Sequence, residues 1–147
     1  MIRRFAARHA MGRTVRGTAL VAYDGFSARY DLDRIVGTFS RPTHKLVGQS
    51  YIDKILILDT AKGGVASAWM LHEMKSRGVA PRALVFNSVS PILVQGAALA
   101  DLPMLAGFDE EITKAIPFGA EVEVIPELRI LEIISDVFGP KRIFGST

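Results

Sequence analysis

Cysteine is absent from the chain, and its absence excludes several classes of protein. Without cysteine there is no disulfide framework, no thiolate-bound zinc and no iron–sulfur cluster held by this chain. Long apolar runs are also missing, because the stretch 93–105 is interrupted by Gln95, Asp101 and Pro103. No segment is therefore long enough to span a bilayer. Together these features predict a cytoplasmic, globular protein with no membrane partner.

The net charge and the content of aromatic residues are low as well. The net charge is only +3, and aromatic residues make up 8% of the 147 residues. Nucleic-acid binding usually combines a basic surface with aromatic side chains that stack on bases. Only the arginines near the start meet the first condition, so we expect no nucleic-acid partner. The segment 1–12 is Arg-rich and free of acidic residues, which favours an N-terminal extension over a short targeting peptide.

The stretch 54–78 predicts a buried strand, a polar glycine turn and a helix. The run 55–58 is continuously apolar, which is typical of a strand covered on both faces. A helix follows, with Met70 and Met74 on its apolar stripe, and Gly78 is well suited to end it. A strand that enters a helix through such a turn directs backbone N–H groups at one point, which favours an anion.

The order of the remaining elements predicts an α/β fold. A strand is predicted at 13–22, parallel strands at 55–58, 83–86 and 103–106 with helices between them, and antiparallel strands at 121–125 and 128–134. This order indicates a three-layer β/β/α domain with a short parallel central sheet. We assign the extension to 1–12, the domain to 13–135 and a C-terminal tail to 136–147.

The turn after the first parallel strand is the main candidate site. Lys62 could neutralise a carboxylate or phosphate, helped by the backbone amides of Gly63 and Gly64. Ser67, in the first helical turn, could act as a hydroxyl base or an anion ligand. Two structural alternatives stay open: Lys62 as a solvated lysine on a tight connection, and Ser67 as a helix cap.

A second polar group follows the same strands. Thr60, Asn87 and Ser88 lie at the carboxyl ends of the predicted parallel strands, where open α/β sheets bind ligands. They are predicted to bind substrate. An equal alternative is that one of the serines before Pro91 caps the helix that starts there. The histidines are dispersed, so no metal site is predicted in this chain. Of these histidines, His44 lies in a loop and could reach the site.

With these features in place, the chain resembles the small, swivelling domain of aconitase X over roughly 12–125. The segment GRTVRGTALV is similar to the family's G-x-x-x-x-G-x-A-L-V start. Gly48, Gln49 and Ser50 match its G-Q-S motif, the run 54–56 matches K-I-L, and His44 stands at its histidine. The segment SPILVQGAALADLPML resembles the family's D-P-I-L-A-x-G-A-I-V-A…I-P stretch.

The resemblance implies both an activity and a partner. Members of the aconitase X family are hydro-lyases that dehydrate cis-3-hydroxy-L-proline or mevalonate 5-phosphate. The resemblance implies a large catalytic subunit that holds an iron or iron–sulfur centre, with no cofactor bound by this chain. It also implies that the loop 60–67 binds a small anionic hydroxy acid, with Ser67 and Lys62 as the catalytic residues.

The loop departs from the family pattern G-R-G-S-S-x-x-S. Lys62 replaces the arginine, which keeps the charge and changes the geometry. Gly64 and Val65 stand where serines are expected, so the family's serine base is missing from its usual position. This departure implies that Ser67 substitutes for it, that the large subunit supplies the base, or that the substrate differs.

An alternative is a non-catalytic ligand-binding or regulatory module. The segment GGVASAWMLHE resembles the phosphohistidine swivel domains of phosphotransfer enzymes, which show G-G-x-x-S-H-A-A. Ser67 matches the serine of that pattern, but Ala68 occupies the position of the essential histidine. Without that nucleophile the similarity implies a related fold and no phosphocarrier activity.

Overall fold

A computed structural model describes residues 3–28, 30–61, 65–89 and 91–135 of the chain. The elements in chain order are β1 (Arg3–Met11), β2 (Val15–Val21), β3 (Gly25–Phe26), β4 (Leu32–Asp33), β5 (Thr38–Phe39), β6 (Ile55–Ala61), α1 (Val65–Ser76), β7 (Ala83–Ser88), α2 (Pro91–Leu99), β8 (Met104–Phe108), α3 (Ile112–Ala115), β9 (Glu121–Ile125), a 3-10 turn (Pro126–Leu128) and β10 (Ile130–Ser135).

The strands β6, β7 and β8 are parallel neighbours, with α1 and α2 as the connections between them. Their apolar runs are buried on both faces, and the side chains of 55–58 and 83–86 have no solvent exposure. This burial explains why the runs are continuously apolar rather than alternating. β3 extends the parallel set by pairing Gly25 with Thr60 at the far end of β6.

The strands β1 and β2 each take part in two pairings along their length. The first half of β1 pairs with β10, and its second half pairs with β8. In the same way β2 pairs first with β9, antiparallel, and then with β6, parallel. β9 and β10 form an antiparallel pair, so the antiparallel and parallel strands join into one eight-stranded sheet.

Two hydrophobic clusters lie on opposite faces of the parallel strands. One contains Leu56, Leu58 and Phe86 together with the buried faces of α1 and α2. The other contains Ile55 and Ile57 and packs them against β1, β9, β10 and α3. The alternation along β6 assigns every second residue to the same cluster, as the pleat of a strand requires.

The predicted α/β class is confirmed, and the predicted parallel strands with intervening helices are present. The full three-layer order stays a prediction. The prediction of an extension over 1–12 is wrong for the part that the structure describes, because Arg3–Met11 forms β1. Phe5 and Ala7 are buried between exposed neighbours, a two-residue alternation that buries one face of the strand. The tail 136–147 lies outside the described residues.

Among the described residues, no helix is both long enough and apolar enough to cross a membrane.

Candidate active site

Two of the predicted substrate ligands meet at the carboxyl edge of the parallel strands. The register pairs Thr60 of β6 with Ser88 of β7. The Ser88 hydroxyl donates to Thr60 Oγ1 at 3.2 Å. Both residues continue the face of Leu58 and Phe86, so the hydroxyl pair lies on the side of the sheet that α1 and α2 cover.

Asn87 faces the opposite side of the same edge. Its Nδ2 group donates to Asp59 Oδ1 at 3.1 Å and to Thr113 Oγ1 at 3.2 Å. Its Oδ1 accepts the backbone N–H of Ile112 at 2.7 Å, at the start of α3. Both amide hydrogens are therefore used within the chain, and the side chain ties the ends of β6 and β7 to α3.

Asp59 and Thr113 also belong to this group, and neither is among the residues predicted from the sequence. Strand alternation is the signal that could have found Asp59, since it shares the face of Ile55 and Ile57 in β6. Thr113 comes from α3, which is brought to this edge by tertiary packing that no local pattern predicts. The carboxyl edge thus has one hydroxyl face and one amide–carboxylate face.

The connection between β6 and α1 contains the remaining predicted residues. Ala61 ends β6 and Val65 begins α1. The candidates Lys62, Gly63 and Gly64 lie outside the described residues. Ser67 lies in the first turn of α1, and its side chain is outside the described part. The roles predicted for these four residues stay predictions.

The loop before β6 supports this edge from the side. Asp59 donates its backbone N–H to the carbonyl of Asp24 at 2.9 Å, and Gly25 pairs with Thr60. His44 belongs to the same loop. Its Nδ1 accepts the N–H of Leu46 at 3.0 Å, and its Nε2 contacts the carbonyl of Gly25 at 2.8 Å. Because Nδ1 accepts, Nε2 has the proton and donates to Gly25.

The structure makes His44 a buried support rather than a group that reaches the site. Its side chain has no solvent exposure, and its ring stacks on Phe39 with 4.6 Å between the ring centroids. A loop position alone could not predict this burial. The imidazole bonds to the carbonyl of Gly25, and Gly25 pairs with Thr60. His44 therefore helps to hold the end of β6 in place.

Arg41 and two carboxylates complete the support of this loop. Arg41 Nε donates to Asp31 Oδ1 at 2.6 Å, and Nη2 donates to Asp24 Oδ1 at 3.2 Å. Burial is the largest influence on the pKa of Asp24 and acts to raise it, but the N–H groups of Lys45 and Gly25 and the nearby Arg41 guanidinium act to lower it and outweigh burial. The pKa of Asp24 is therefore below its usual value, and the carboxylate stays ionised.

A cavity opens beside the end of β7. It has a volume of about 390 Å³ and is lined by His9, Val89, Val94 and Gln95. Val89 follows Ser88 directly in the sequence, but neither Ser88 nor Thr60 is among these lining residues. The size of the cavity falls within the range of pockets that hold small molecules.

Comparison with known proteins gives this architecture a family. Residues 4–133 match the family model described as the aconitase X swivel domain. The chain belongs to the aconitase X swivel domain family. This is the family that the sequence resemblance indicated.

Relatives of this swivel domain have names that specify a subunit. It is 32% identical over 121 residues to a phosphomevalonate dehydratase small subunit from Thermococcus sibiricus, covering 82% of this chain and 91% of that protein. It is 29% identical over 112 residues to the subunit of the same name from Methanopyrus kandleri, covering 76% of this chain and 83% of that one.

Two solved structures share the fold of this swivel domain. Aconitase X of Thermococcus kodakaraensis in its holo form superposes with a TM-score of 0.83 at 24% identity, covering 90% of this chain and 99% of that one. A UPF0107 protein solved by NMR gives a TM-score of 0.81 at 28% identity, covering 90% of this chain and all of the other, at 100%.

The described residues of the swivel domain include no ligand set for an iron centre. In the described part of the chain, no three histidine, aspartate or glutamate side chains are grouped so that they could hold a metal ion. The full sequence contains no cysteine. The residues that are described do not fit such a centre, and we assign no metal ligand to this chain.

Proposed function

We propose that this chain is the small subunit of an aconitase X-type hydro-lyase and closes over the metal site of a large catalytic subunit. The names of the relatives from Thermococcus sibiricus and Methanopyrus kandleri support this proposal. So does the extent of the match, since the chain spans most of each relative. The proposal assigns any iron or iron–sulfur centre to the large subunit and the assembly to the cytoplasm.

The proposed substrate is a small anionic hydroxy acid. Mevalonate 5-phosphate is the first candidate, because the relatives are named for the dehydration of phosphomevalonate. The observation that supports a site on this chain is the Thr60–Ser88 hydroxyl pair at the carboxyl edge. These hydroxyls lie where β6 leaves the sheet toward the 62–64 connection, and they can donate to or accept from a polar substrate group.

The proposed chemistry divides between binding and proton transfer. Dehydration breaks a C–H and a C–OH bond, so a base must take the proton and an acid must accept the leaving hydroxide. We assign the anion to Lys62 and to the amides of Gly63 and Gly64, and the proton to Ser67, whose Oγ would accept it when ionised. A metal centre on the large subunit would supply the Lewis acid for the hydroxide. The start of α1 is the positive end of a helix dipole, which favours both a bound anion and an ionised hydroxyl.

Asn87 has an indirect part in this proposal. Direct contact with substrate stays a prediction from the sequence. Its engaged amide supports a positioning role, because it links Asp59 in β6 to Ile112 in α3 and so holds the two strand ends in register. This register sets the spacing of Thr60 and Ser88.

The test is turnover by the chain co-expressed with its large subunit. Mevalonate 5-phosphate and cis-3-hydroxy-L-proline are offered separately. Ser67→Ala is expected to lower kcat by about a hundredfold, since it removes the proposed base. Lys62→Ala is expected to raise KM by about tenfold, since it removes a charge-assisted contact. Thr14→Val is the control, because Thr14 is exposed at the other end of the sheet.

Two outcomes would count against this proposal. Unchanged turnover in both Ser67→Ala and Lys62→Ala would exclude a catalytic role for the loop. A chain that is stable alone and captures no large hydro-lyase subunit would instead support a non-catalytic ligand-binding module with the same fold.

A further inference from the structure

The opposite end of the parallel strands has a second, strongly basic cavity. Its volume is about 350 Å³, and its lining includes Asp53 before β6, Arg82 before β7 and Pro103 before β8. β6 is seven residues long, so about 20 Å of strand separates this cavity from the Thr60–Ser88 edge. The two sites therefore cannot share one small ligand.

Cationic side chains dominate the lining of this amino-end cavity. Arg13, Arg16, Lys75 and Arg82 surround it, and Asp53 is the one carboxylate among the described residues that line it. The carboxyl end of α1 adds partial negative charge, which Lys75 in the last turn offsets. Like charges gathered around one concave surface repel one another, and a bound anion would relieve that repulsion.

Three of these cations are held in place by hydrogen bonds. Arg82 Nη1 donates to the carbonyl of Arg16 at 2.8 Å. Arg13 Nη1 donates to Asp101 Oδ2 at 2.6 Å, and Lys75 Nζ donates to the Asp101 carbonyl at 3.1 Å. Each contact uses one of several N–H donors and leaves others available. Pre-ordered donors of this kind bind an anion with less loss of side-chain entropy.

Lys75 and Arg82 are the cations with the least neutralisation. Within the described residues, both make their hydrogen bonds to backbone carbonyls rather than to carboxylates. By contrast, Arg13 forms an ion pair with Asp101 at 2.6 Å, and Arg16 forms a longer one with Glu123 at 3.8 Å. Neither Lys75 nor Arg82 therefore forms an ion pair with a carboxylate of the described residues.

The two glycines of the family's opening motif shape this cavity. Gly12 has φ +96°, and a Cβ there would lie 2.6 Å from Cα of Pro103, which lines the cavity. A Cβ at Gly17 would lie 3.4 Å from Cδ of Arg82 and 3.3 Å from Cγ1 of Ile55. Gly12 thus permits close contact with one wall, and Gly17 leaves room for the stem of Arg82.

We propose that this cavity is a binding site for a small phosphorylated anion, separate from the site at the carboxyl edge. Planar guanidinium groups match phosphate oxygens, and Lys75 adds a point charge. A cavity of about 350 Å³ accommodates a compact di- or triphosphorylated group. This inference does not depend on the proposed hydro-lyase function.

The experiment is calorimetric titration of the full chain with inorganic pyrophosphate at low ionic strength, where exposed charges are least screened. One saturable site is expected in the parent chain. Arg82→Ala is expected to weaken binding by about tenfold, and Lys75→Ala by a few-fold, because each removes one charge-assisted contact. Arg82→Lys should keep part of the affinity, since it keeps the charge and loses the planar fork.

Lys114→Ala is the matched control, because it removes one exposed positive charge from α3, away from the cavity. It should leave the affinity unchanged. Thermal unfolding of each variant checks that it is folded. The proposal is overturned if pyrophosphate shows no saturable binding, or if Arg82→Ala and Lys75→Ala both bind like Lys114→Ala. A single-stranded RNA that binds at the same residues more tightly than pyrophosphate would also contradict a small-anion site.

Discussion

The two ends of the parallel strands differ in the chemistry that they present. The carboxyl end has hydroxyl and amide groups that bond mainly to one another, whereas the amino end has four cations around a cavity. The strands themselves are apolar and alike, so the difference comes from the residues that flank each strand. One sheet can therefore support two kinds of recognition without any change to its core.

The ends also differ in how far their polar groups are satisfied. At the carboxyl end, both amide hydrogens of Asn87 have partners within the chain. At the amino end, Arg82 and Lys75 each donate one hydrogen bond to a backbone carbonyl within the described residues and keep further N–H donors. A closed network fixes positions, and an open set of donors is free to bind.

The largest expected effect is at the amino end, on folding. Gly12→Ala should lower the free energy of unfolding by about 2–4 kcal/mol, because it combines left-handed backbone with a clash against the Pro103 backbone. Gly48→Ala is the matched control. Gly48 has φ +85° but open space at its Cβ, so strain alone should cost about 1 kcal/mol. Chemical denaturation measures both, and equal losses would contradict the close contact.

A smaller effect separates positioning from binding at the carboxyl end. Asn87→Ala should lower the free energy of unfolding by about 1–3 kcal/mol, since it leaves the Ile112 N–H and Asp59 without their partner. Ser88→Ala should stay within about 0.5 kcal/mol, because Ser88 is exposed. Urea denaturation distinguishes the two. If Ser88→Ala is the more destabilising change, the assignment of Asn87 as the structural link is wrong.

The smallest expected effect is the acid response of one carboxylate at each end. Hydrogen bonding to Arg13 lowers the pKa of Asp101, and the pKa of Asp24 is also lowered. A folded pKa below the unfolded value means that the stabilisation is present above pH of about 4 and is lost as the pH falls through the folded pKa. Thermal melts between neutral and acidic pH should therefore show falling stability, with a shallower fall in Asp101→Asn and in Asp24→Asn.

Salt should separate the two carboxylates. The Arg13–Asp101 pair is exposed, at 61% and 64% of each side chain, so high salt should screen it. Asp24 is 21% exposed and accepts backbone N–H groups, so its contribution should persist. If the acid response of Asp101→Asn and Asp24→Asn changes equally with salt, the contrast between the two ends does not extend to these carboxylates.

Much of the fold could be predicted because its signals are local. The apolar runs in β6 and β7, Pro91 at the start of α2 and the alternation in β9 each determine an element within a few residues. The strand β1 was not predicted because most of its apolar residues are alanines, which are weak strand formers, and they lie among arginines. Its pairing with β10 and β8 depends on residues far away in the sequence, from Met104 to Ile133, which single-strand patterns do not reveal.

The candidate site was predictable to a lesser extent. Thr60 and Ser88 could be brought together from the sequence, because parallel strands end at one edge. The sequence did not reveal that Asn87 faces the other side, since this depends on the register between β6 and β7 and on where α3 packs. The loop position of His44 left open that it reaches the site, and the structure buries it against Phe39.

The double pairing of β1 and β2 has a consequence for how the chain is made. Among the elements of this domain, β1 and β2 are synthesised first, yet most of their partners belong to β8, β9 and β10. Their apolar faces cannot be covered until nearly the whole domain has been synthesised. The nascent chain is therefore exposed to mispairing through most of translation, and early truncation would leave unpaired strand edges rather than a smaller folded unit.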